Sequence, residues 1–276
     1  MKVSVVIPVY NEQRDISACL SSLLVQDYPQ LEIIVVDDGS TDATLAQVRK
    51  HSVKTLSQAH LGSGVARNLG SAHAKGQILV FVDADMIFAN NFVSQLIAPI
   101  ISGIAKGTFS KDEYVANPDN VWVKCWQINR NLPSNKLHPA NYSDSQPVFR
   151  AILKSEFDSV GGFDAVGYTD DWTLSAKLGY QAVAATGAVF YHRQADSLGE
   201  VWRQASWIGK RPYKAGVWGR LITLARTSFP VSLSIGLIKF LWYGKPAFIV
   251  FKPVYDLAIF KSVMLSFISN FNYKQS

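Results

Sequence analysis

Ile78-Leu79-Val80-Phe81-Val82-Asp83-Ala84-Asp85 is the stretch on which the fold turns. Five apolar residues in a row are too few for a helix, and they read as a strand buried on both faces. The run ends abruptly in two carboxylates. Upstream, two more runs have the same shape. Residues 3–9 are apolar and β-branched and lead into Tyr10-Asn11-Glu12, and residues 31–36 lead into Asp37-Asp38-Gly39-Ser40. Between them the period changes. Ile16, Leu20, Leu23 and Leu24 lie at helical spacing within 15–26, and Leu45 and Val48 mark a second helix for which Ser40 or Thr41 is a suitable cap. Residues 53–56 form a weaker strand and 64–74 a helix. Strand and helix alternating at this spacing predict an α/β fold, a mostly parallel sheet with helices on both faces. In such sheets ligands bind beyond the carboxyl ends of the strands. The three polar clusters all follow strand ends, so they belong on one rim.

The middle of the chain is less regular. Residues 117–120 and 131–144 are loop-like, Gly161-Gly162-Phe163-Asp164 is a turn, 171–179 reads as a helix closed by Gly179, and 183–191 reads as a strand followed by His192. The expected organisation is a first half over 1–90, a second half over 91–199, and a basic, apolar helical extension over 200–276.

Composition narrows the class. The 276 residues are 48% hydrophobic and 17% charged, which excludes a disordered chain. Cys19 and Cys125 stand far apart, in neither a disulfide framework nor a zinc spacing, and fit a reducing compartment. The opening run is short and broken by Pro8, so it reads as a strand and not as a signal peptide. The net charge of +6 is unevenly spread: from residue 200 onward there are eleven Lys/Arg and only two acids, Glu200 and Asp256.

Two carboxylates at i and i+2 leave an extended chain on the same side. Asp83 and Asp85 can thus hold a hard cation that grips a diphosphate, or form a solvated acidic turn. A carboxylate of Asp37-Asp38 can accept from a base N–H or a ribose hydroxyl, or make an Asx turn. Arg67-Asn68 reads alone as an exposed helical face, and His192 alone as a structural histidine or a metal ligand.

Taken together, and in order, Pro8-Val9-Tyr10-Asn11-Glu12, Asp37-Asp38-Gly39-Ser40-Thr41-Asp42, Gly64-Val65-Ala66-Arg67-Asn68-Leu69-Gly70, Asp83-Ala84-Asp85, Gly161-Gly162-Phe163-Asp164 and Thr169-Asp170-Asp171 closely resemble family 2 glycosyltransferases. The resemblance covers roughly residues 1–195. It implies the GT-A fold and an inverting transfer of sugar from a UDP- or GDP-type nucleotide sugar to an acceptor hydroxyl. It implies that Pro8, Tyr10 and Glu12 line the nucleotide pocket. Asp38, ahead of Asp37, would bind the base with Arg67 beside it. Asp83 would meet the ribose or the metal, and Asp85 the metal (Mn2+ or Mg2+) and diphosphate, with His192 approaching them. The family carries Glu-Asp where this chain has Asp170-Asp171. The second acid is the family's general base, which makes Asp171 the candidate and Asp170 its neighbour. Trp202 to Trp207 is similar to the Gln-x-x-Arg-Trp signature of processive members, but Ser206 stands in place of the Arg, so a non-processive enzyme is expected. A nucleotidyltransferase is the competing enzyme class and should carry a Gly-rich basic loop where Tyr10-Asn11-Glu12 stands. A non-catalytic nucleotide-sugar-binding protein should lack Asp85 or Asp171.

Beyond residue 200, uncharged stretches such as 227–238 and 262–273 fall short of the roughly 20 residues of a span. Lysines at 239, 245, 252 and 261 and prolines at 246 and 253 interrupt the rest. Phe229, Phe240, Trp242, Tyr243, Phe251 and Tyr255 are interleaved among them. This pattern favours helices lying on an anionic membrane surface, placing the protein at the cytoplasmic face beside a lipid-linked or membrane-proximal acceptor. Packing on the domain or a homo-oligomer interface is the other reading. No nucleic-acid motif is present, and no nucleic-acid partner is expected.

Overall fold

The computed structural model describes residues 1–139, 141–166, 170–211 and 213–268. Thr169 of the acidic motif and the end of the 262–273 stretch lie outside them. The chain opens with β1 (Val3–Val9), α1 (Ile16–Leu24), β2 (Leu31–Asp37), α2 (Thr44–Val48), β3 (Lys54–Ser57), α3 (Ser63–Ala72) and β4 (Ile78–Phe81). β5 (Met86–Phe88), α4 (Phe92–Ile101), β6 (Gly107–Ser110), β7 (Glu113–Val115) and α5 (Val121–Asn129) follow. Then come β8 (Ser145–Gln146), β9 (Ala151–Leu153), α6 (Lys154–Ser159), α7 (Asp170–Leu178), β10 (Ala182–Ala185) and β11 (Phe190–His192). The last helices are α8 (Leu198–Gly209), α9 (Gly216–Arg226), α10 (Phe229–Tyr243) and α11 (Phe248–Ile268).

The main sheet has the order β3-β2-β1-β4-β9-β6-β10-β8. The first four strands are parallel, with Val3–Val9 paired to Leu31–Asp37 and Val3 to Val6 paired to Ile78 to Phe81. β9 runs antiparallel to both its neighbours, and β8 closes the far edge antiparallel to β10. The period-two alternation of the strands explains the two cores. Val5, Ile7, Ile33, Val35 and Val80 face α1 and α4, while Val6, Ile34, Val36, Leu79 and Phe81 face the α3 side. Pro8 sits in a central strand without cost. The ladder to β4 ends at Val6, and the missing N–H of Pro8 lies on that side.

Two expectations needed correction. Residues 183–191 are not one strand. The turn at Gly187, with φ +82°, separates β10 in the main sheet from β11 in a small sheet of order β5-β11-β7. Neither Ser40 nor Thr41 caps α2, which begins at Thr44: the Ser40 hydroxyl instead accepts from the Asn11 N–H at 3.0 Å, and Asp42 accepts from the Thr44 N–H at 2.9 Å. Apart from these expectations, the described residues cluster into two units, 1–116 with 138–193 and 117–137 with 194–268, so α5 belongs with the C-terminal helices.

The helical unit has its own apolar core, in which Trp126 of α5, Val201 of α8, and Phe248 and Phe251 of α11 come together. Phe251 is fully buried there, not interfacial, because α11 turns this face inward. Lys252 is also used internally: its Nζ lies 2.8 Å from Asp256, whose other oxygen accepts from Ser232 of α10 at 2.7 Å.

Candidate active site

The first two strand ends are stitched together. Asn11 takes φ +56° and its side chain accepts from the Thr41 N–H at 2.8 Å, while the Glu12 N–H donates to Thr44 Oγ1 at 2.8 Å. Tyr10, 41% exposed, stacks on His60 with ring centroids 3.9 Å apart. A flat, exposed aromatic surface thus sits at the end of β1, beside Pro8.

The two aspartates after β2 differ in availability. Asp38 Oδ1 accepts from Gln58 Nε2 at 2.7 Å and the Leu61 N–H at 2.8 Å. Its Oδ2 accepts from the Gly62 N–H at 2.9 Å and faces His60 Nδ1 at 2.9 Å. Four donors fill the four acceptor positions of the carboxylate. Asp38 therefore orders the 58–62 loop that enters α3 and has no lone pair left for a base. Asp37 has only the Ser40 N–H on Oδ1, at 3.2 Å, and its Oδ2 has no partner among the described residues. Of the two, Asp37 therefore has the more available carboxylate oxygen.

Asp83 lies between two arginines. Arg67 of α3 reaches Oδ1 at 2.8 Å, and Arg150 reaches Oδ2 at 3.0 Å. Arg150 is fixed from both sides, its N–H donating to Thr108 O of β6 and its carbonyl accepting from the Phe81 N–H of β4. Burial would raise the Asp83 pKa, but Arg150 and Arg67 outweigh it and hold the carboxyl well below the usual range. Both Asp83 oxygens are thus in ion pairs, and Asp83 holds the two guanidinium groups beside each other.

Asp85 is differently placed. Its Oδ2 is 3.0 Å from His192 Nε2, and its Oδ1 is buried with no partner. His192 is held from behind by Glu113 Oε1, 2.8 Å from Nδ1, and the other Glu113 oxygen takes His138 Nε2 at 2.8 Å. Burial would lower the His192 pKa, but Asp85 and Glu113 raise it well above the usual value. The Glu113 carboxylate behind His192 fixes the ring's orientation, and Nε2, here paired with Asp85, would face a metal only after losing its proton. Among the described residues no group of three or more His, Cys, Asp or Glu side chains is disposed to hold an ion. Asp85 and His192 still fit Mn2+ or Mg2+, since the unpartnered Asp85 oxygen is the kind of atom a cation satisfies, and such ions commonly take one or two protein ligands plus phosphate oxygens.

The acidic pair at the start of α7 divides its work in the same way. Asp170, 5% exposed, accepts from Ser63 Oγ at 2.7 Å and meets Arg67 at 3.4 Å. Asp171 has no hydrogen-bond partner among the described residues, and burial, reinforced by Asp170 and Asp83 against the opposing arginines, raises its pKa to about 6. Asp170 is thus held by two partners, and Asp171 by none among the described residues. Gly64 makes this arrangement possible, since a Cβ there would lie 2.8 Å from Asp170 Oδ2. Gly64→Ala should therefore lower kcat several-fold, while its thermal stability stays within a few degrees of the parent. Helix propensity favours Ala by up to about 1 kcal/mol and offsets the contact. Paired kinetics and melting curves check this, and unchanged kcat would refute it. Asn68 plays a supporting part: it clamps the Gly161–Gly162 turn by donating to Phe163 O at 2.8 Å and accepting from its N–H at 2.9 Å.

Arg67 brings Asp83 and Asp170 together, and His192, from the small sheet, meets Asp85. Arg150 and Glu113 are additions, and nothing in their local sequence marks them.

A family model described as "Glycosyl transferase family 2" matches residues 4–157. Among curated proteins, the chain is 43% identical over 89 residues to an uncharacterized glycosyltransferase, YibD, of Escherichia coli, covering 30% of this chain and 26% of that one. It is 41% identical over 93 residues to the poly(ribitol-phosphate) beta-N-acetylglucosaminyltransferase TarS of Staphylococcus aureus, covering 31% and 16%. The chain thus matches about a quarter or less of the length of these relatives. Among solved structures, the mannosyltransferase PcManGT of Pyrobaculum calidifontis, in complex with GDP-Man and Mn2+, aligns with TM-score 0.59 at 20% identity over 96% of this chain and 87% of that one. S. aureus TarS 1–349 with UDP-GlcNAc aligns with TM-score 0.56 at 17% identity over 97% and 92%. These structures share the GT-A fold expected above. With the family model matched over more than half its length, the chain belongs to glycosyl transferase family 2.

Proposed function

We propose that this protein is an inverting, non-processive glycosyltransferase that moves a sugar from a UDP- or GDP-type donor to an acceptor hydroxyl with the help of Mn2+ or Mg2+. The observation that carries the reading is the Asp171 carboxylate, which has no hydrogen-bond partner among the described residues and a pKa raised to about 6, beside the Arg67–Asp83–Arg150 cluster. Asp171 takes the proton from the acceptor hydroxyl as its oxygen attacks the anomeric carbon. The bond from that carbon to the diphosphate oxygen breaks, and the nucleoside diphosphate leaves with the electron pair. Arg67 and Arg150 supply fixed positive charge for the diphosphate, with no reorganisation at the moment of reaction. A divalent ion, held by Asp85 and His192, would add charge stabilisation to the same leaving group. Asp37 Oδ2 takes the base N–H, and Tyr10 offers a stacking surface. One base and one displacement give inversion at the anomeric carbon.

A donor-hydrolysis screen with several UDP- and GDP-sugars, with and without Mn2+ or Mg2+, tests the reading, followed by anomeric analysis of a transfer product. Turnover of one sugar donor and an inverted product are expected. A retained anomer, or no turnover of any donor, overturns it.

The basic C-terminal helices support a peripheral position on an anionic membrane surface, next to a lipid-linked or membrane-proximal acceptor. Among the described residues no helix is long and apolar enough to cross a membrane by itself. Cys19 and Cys125 are free and buried, which supports the cytoplasmic face.

A further inference from the structure

A helix of eleven residues gains most of its stability in water from packing one face against a core. α9 has no buried residue, while Val217, Trp218, Leu221 and Ile222 on it are exposed, Trp218 by 72%. α10 repeats the pattern at its C-terminal end. Leu237, Ile238, Leu241 and Trp242 form an i, i+4 stripe, with Leu241 75% and Trp242 80% exposed. Only Ser232 and Gly236 of that helix are buried, and Gly236 packs against the backbone of Phe248. The two helices together have the length and composition of a membrane span, but they bend by 58° at the Thr227-Ser228 break. Exposed apolar surface of this extent marks a docking face.

We infer that the outer faces of α9 and α10 form a bent apolar surface that inserts edgewise into the interface of an anionic bilayer. This rests on the peripheral membrane position proposed above and names the element responsible for it. Charge selects this occupant over a second copy of the chain. Residues 201–255 contain nine Lys/Arg and no acid. A self-complementary interface would bring these like charges face to face, whereas anionic headgroups neutralise them. The flanking cations are arranged for a headgroup layer. Lys210 lies over Trp207 at 5.4 Å, Arg211 over Tyr213 at 5.7 Å and Arg220 over Phe267 at 5.6 Å, which keeps charged tips beside aromatic rings. The structure also narrows the inserting surface relative to the whole tail, because Phe251 and the Lys252–Asp256 pair are committed to the interior.

The test compares the full chain with Trp218→Glu/Trp242→Glu by co-sedimentation with phosphatidylglycerol/phosphatidylcholine vesicles and with pure phosphatidylcholine vesicles, at low and high salt. Far-ultraviolet circular dichroism and donor hydrolysis in solution confirm the fold of the variant, since neither tryptophan lies in the catalytic site. The parent should bind anionic vesicles in a salt-sensitive way, and the double variant should bind at least ten-fold more weakly. If the parent does not bind, the peripheral membrane reading fails and this inference with it. If both bind equally, the reading stands and the α9–α10 surface is not the inserting element. As a second measurement, bimane on Trp242→Cys should shift to the blue on anionic vesicles, while bimane on Ser21→Cys, far from the helical unit in sequence, should not. An unshifted Trp242 probe, together with a dimer in sedimentation equilibrium that the double Glu variant dissociates, would assign the face to a second copy and overturn the proposal.

Discussion

Asp171→Asn should lower the transfer rate by about 10²–10⁴-fold, the range expected on removing a positioned general base, and should at the same time make the protein more stable. The two effects have one origin. The Asp171 carboxylate is partly buried with no hydrogen-bond donor among the described residues, and burial raises its pKa from 3.8 to about 6. A carboxyl raised in the folded state binds its proton more tightly there than in the unfolded chain. Above pH 6 the charged form is therefore a penalty on folding. At about 1.4 kcal/mol per pKa unit, the penalty at neutral pH is about 2–3 kcal/mol. The amide keeps the shape and removes the charge. The stabilisation should be full at pH 7, shrink as pH falls through 6, and vanish below the unfolded value near 4. Asp170→Asn should behave in the opposite way, because it loosens the contacts to Ser63 and Arg67 and so lowers stability. An active Asp171→Asn beside an inactive, stable Asp170→Asn would exchange the two roles.

The same shift fixes the pH dependence. The base must be ionised to act, so kcat/KM of the parent should fall about ten-fold per pH unit below pH 6 and level off above it. The residual activity of Asp171→Asn should lack this limb. A pH–rate profile of both proteins is the measurement, and a parent rate that is flat down to pH 4.5 would remove Asp171 from the role of base.

The strand ends were legible because their signals are local: a β-branched run of five to seven residues followed by carboxylates allows few other placements. The motif order therefore pointed to the acids of Asp37-Asp38, Asp83-Ala84-Asp85 and Asp170-Asp171. Which acid of each pair stays free was not legible. Asp37 and Asp38 are adjacent, and their difference is made by Gln58, His60, Leu61 and Gly62 of a later loop. Asp83 is occupied by arginines 16 residues before it and 67 after it. Arg150 and Glu113 escaped notice for the same reason, since their meaning lies in partners brought by sheet topology. In the tail, composition showed basic and apolar content but not direction. Lys252 and Asp256 are four apart on the inward face of α11, so one of the lysines read as membrane-facing serves the interior.

The two aspartates of Asp83-Ala84-Asp85 provide the second large effect, because the structure gives them different work. Among the described residues the Asp85 carboxylate has one hydrogen-bonding partner, His192 Nε2, and one oxygen with none. Without it, His192 is still held through Nδ1 by Glu113, so Asp85→Ala should cost clearly less stability than Asp83→Ala, which removes both ion pairs of its carboxylate at once. Transfer should nonetheless fall by at least about 10²–10³-fold, the usual loss when one charge-stabilising element is removed. A binding readout separates this from a general lesion: calorimetry should show Mn2+ tightening nucleoside diphosphate binding to the parent and not to Asp85→Ala. Asp83→Ala should be damaging in another way. It would leave Arg67 and Arg150, whose side chains are 10% and 18% exposed, facing each other without their carboxylate. Removing one partner from a buried ion pair costs about 3 kcal/mol or more, and the low end applies because Asp83 itself is 33% exposed. Asp83→Ala should therefore lose activity and melt several degrees lower, whereas Asp85→Ala should lose activity and melt closer to the parent. Equal losses of stability in the two variants, or full parent activity in excess chelator, would contradict the division of labour. A chain that kept Asp83 only as a second metal ligand would show the reverse signature, a stable Asp83→Ala with weakened Mn2+ binding, since nothing structural would then depend on that carboxylate.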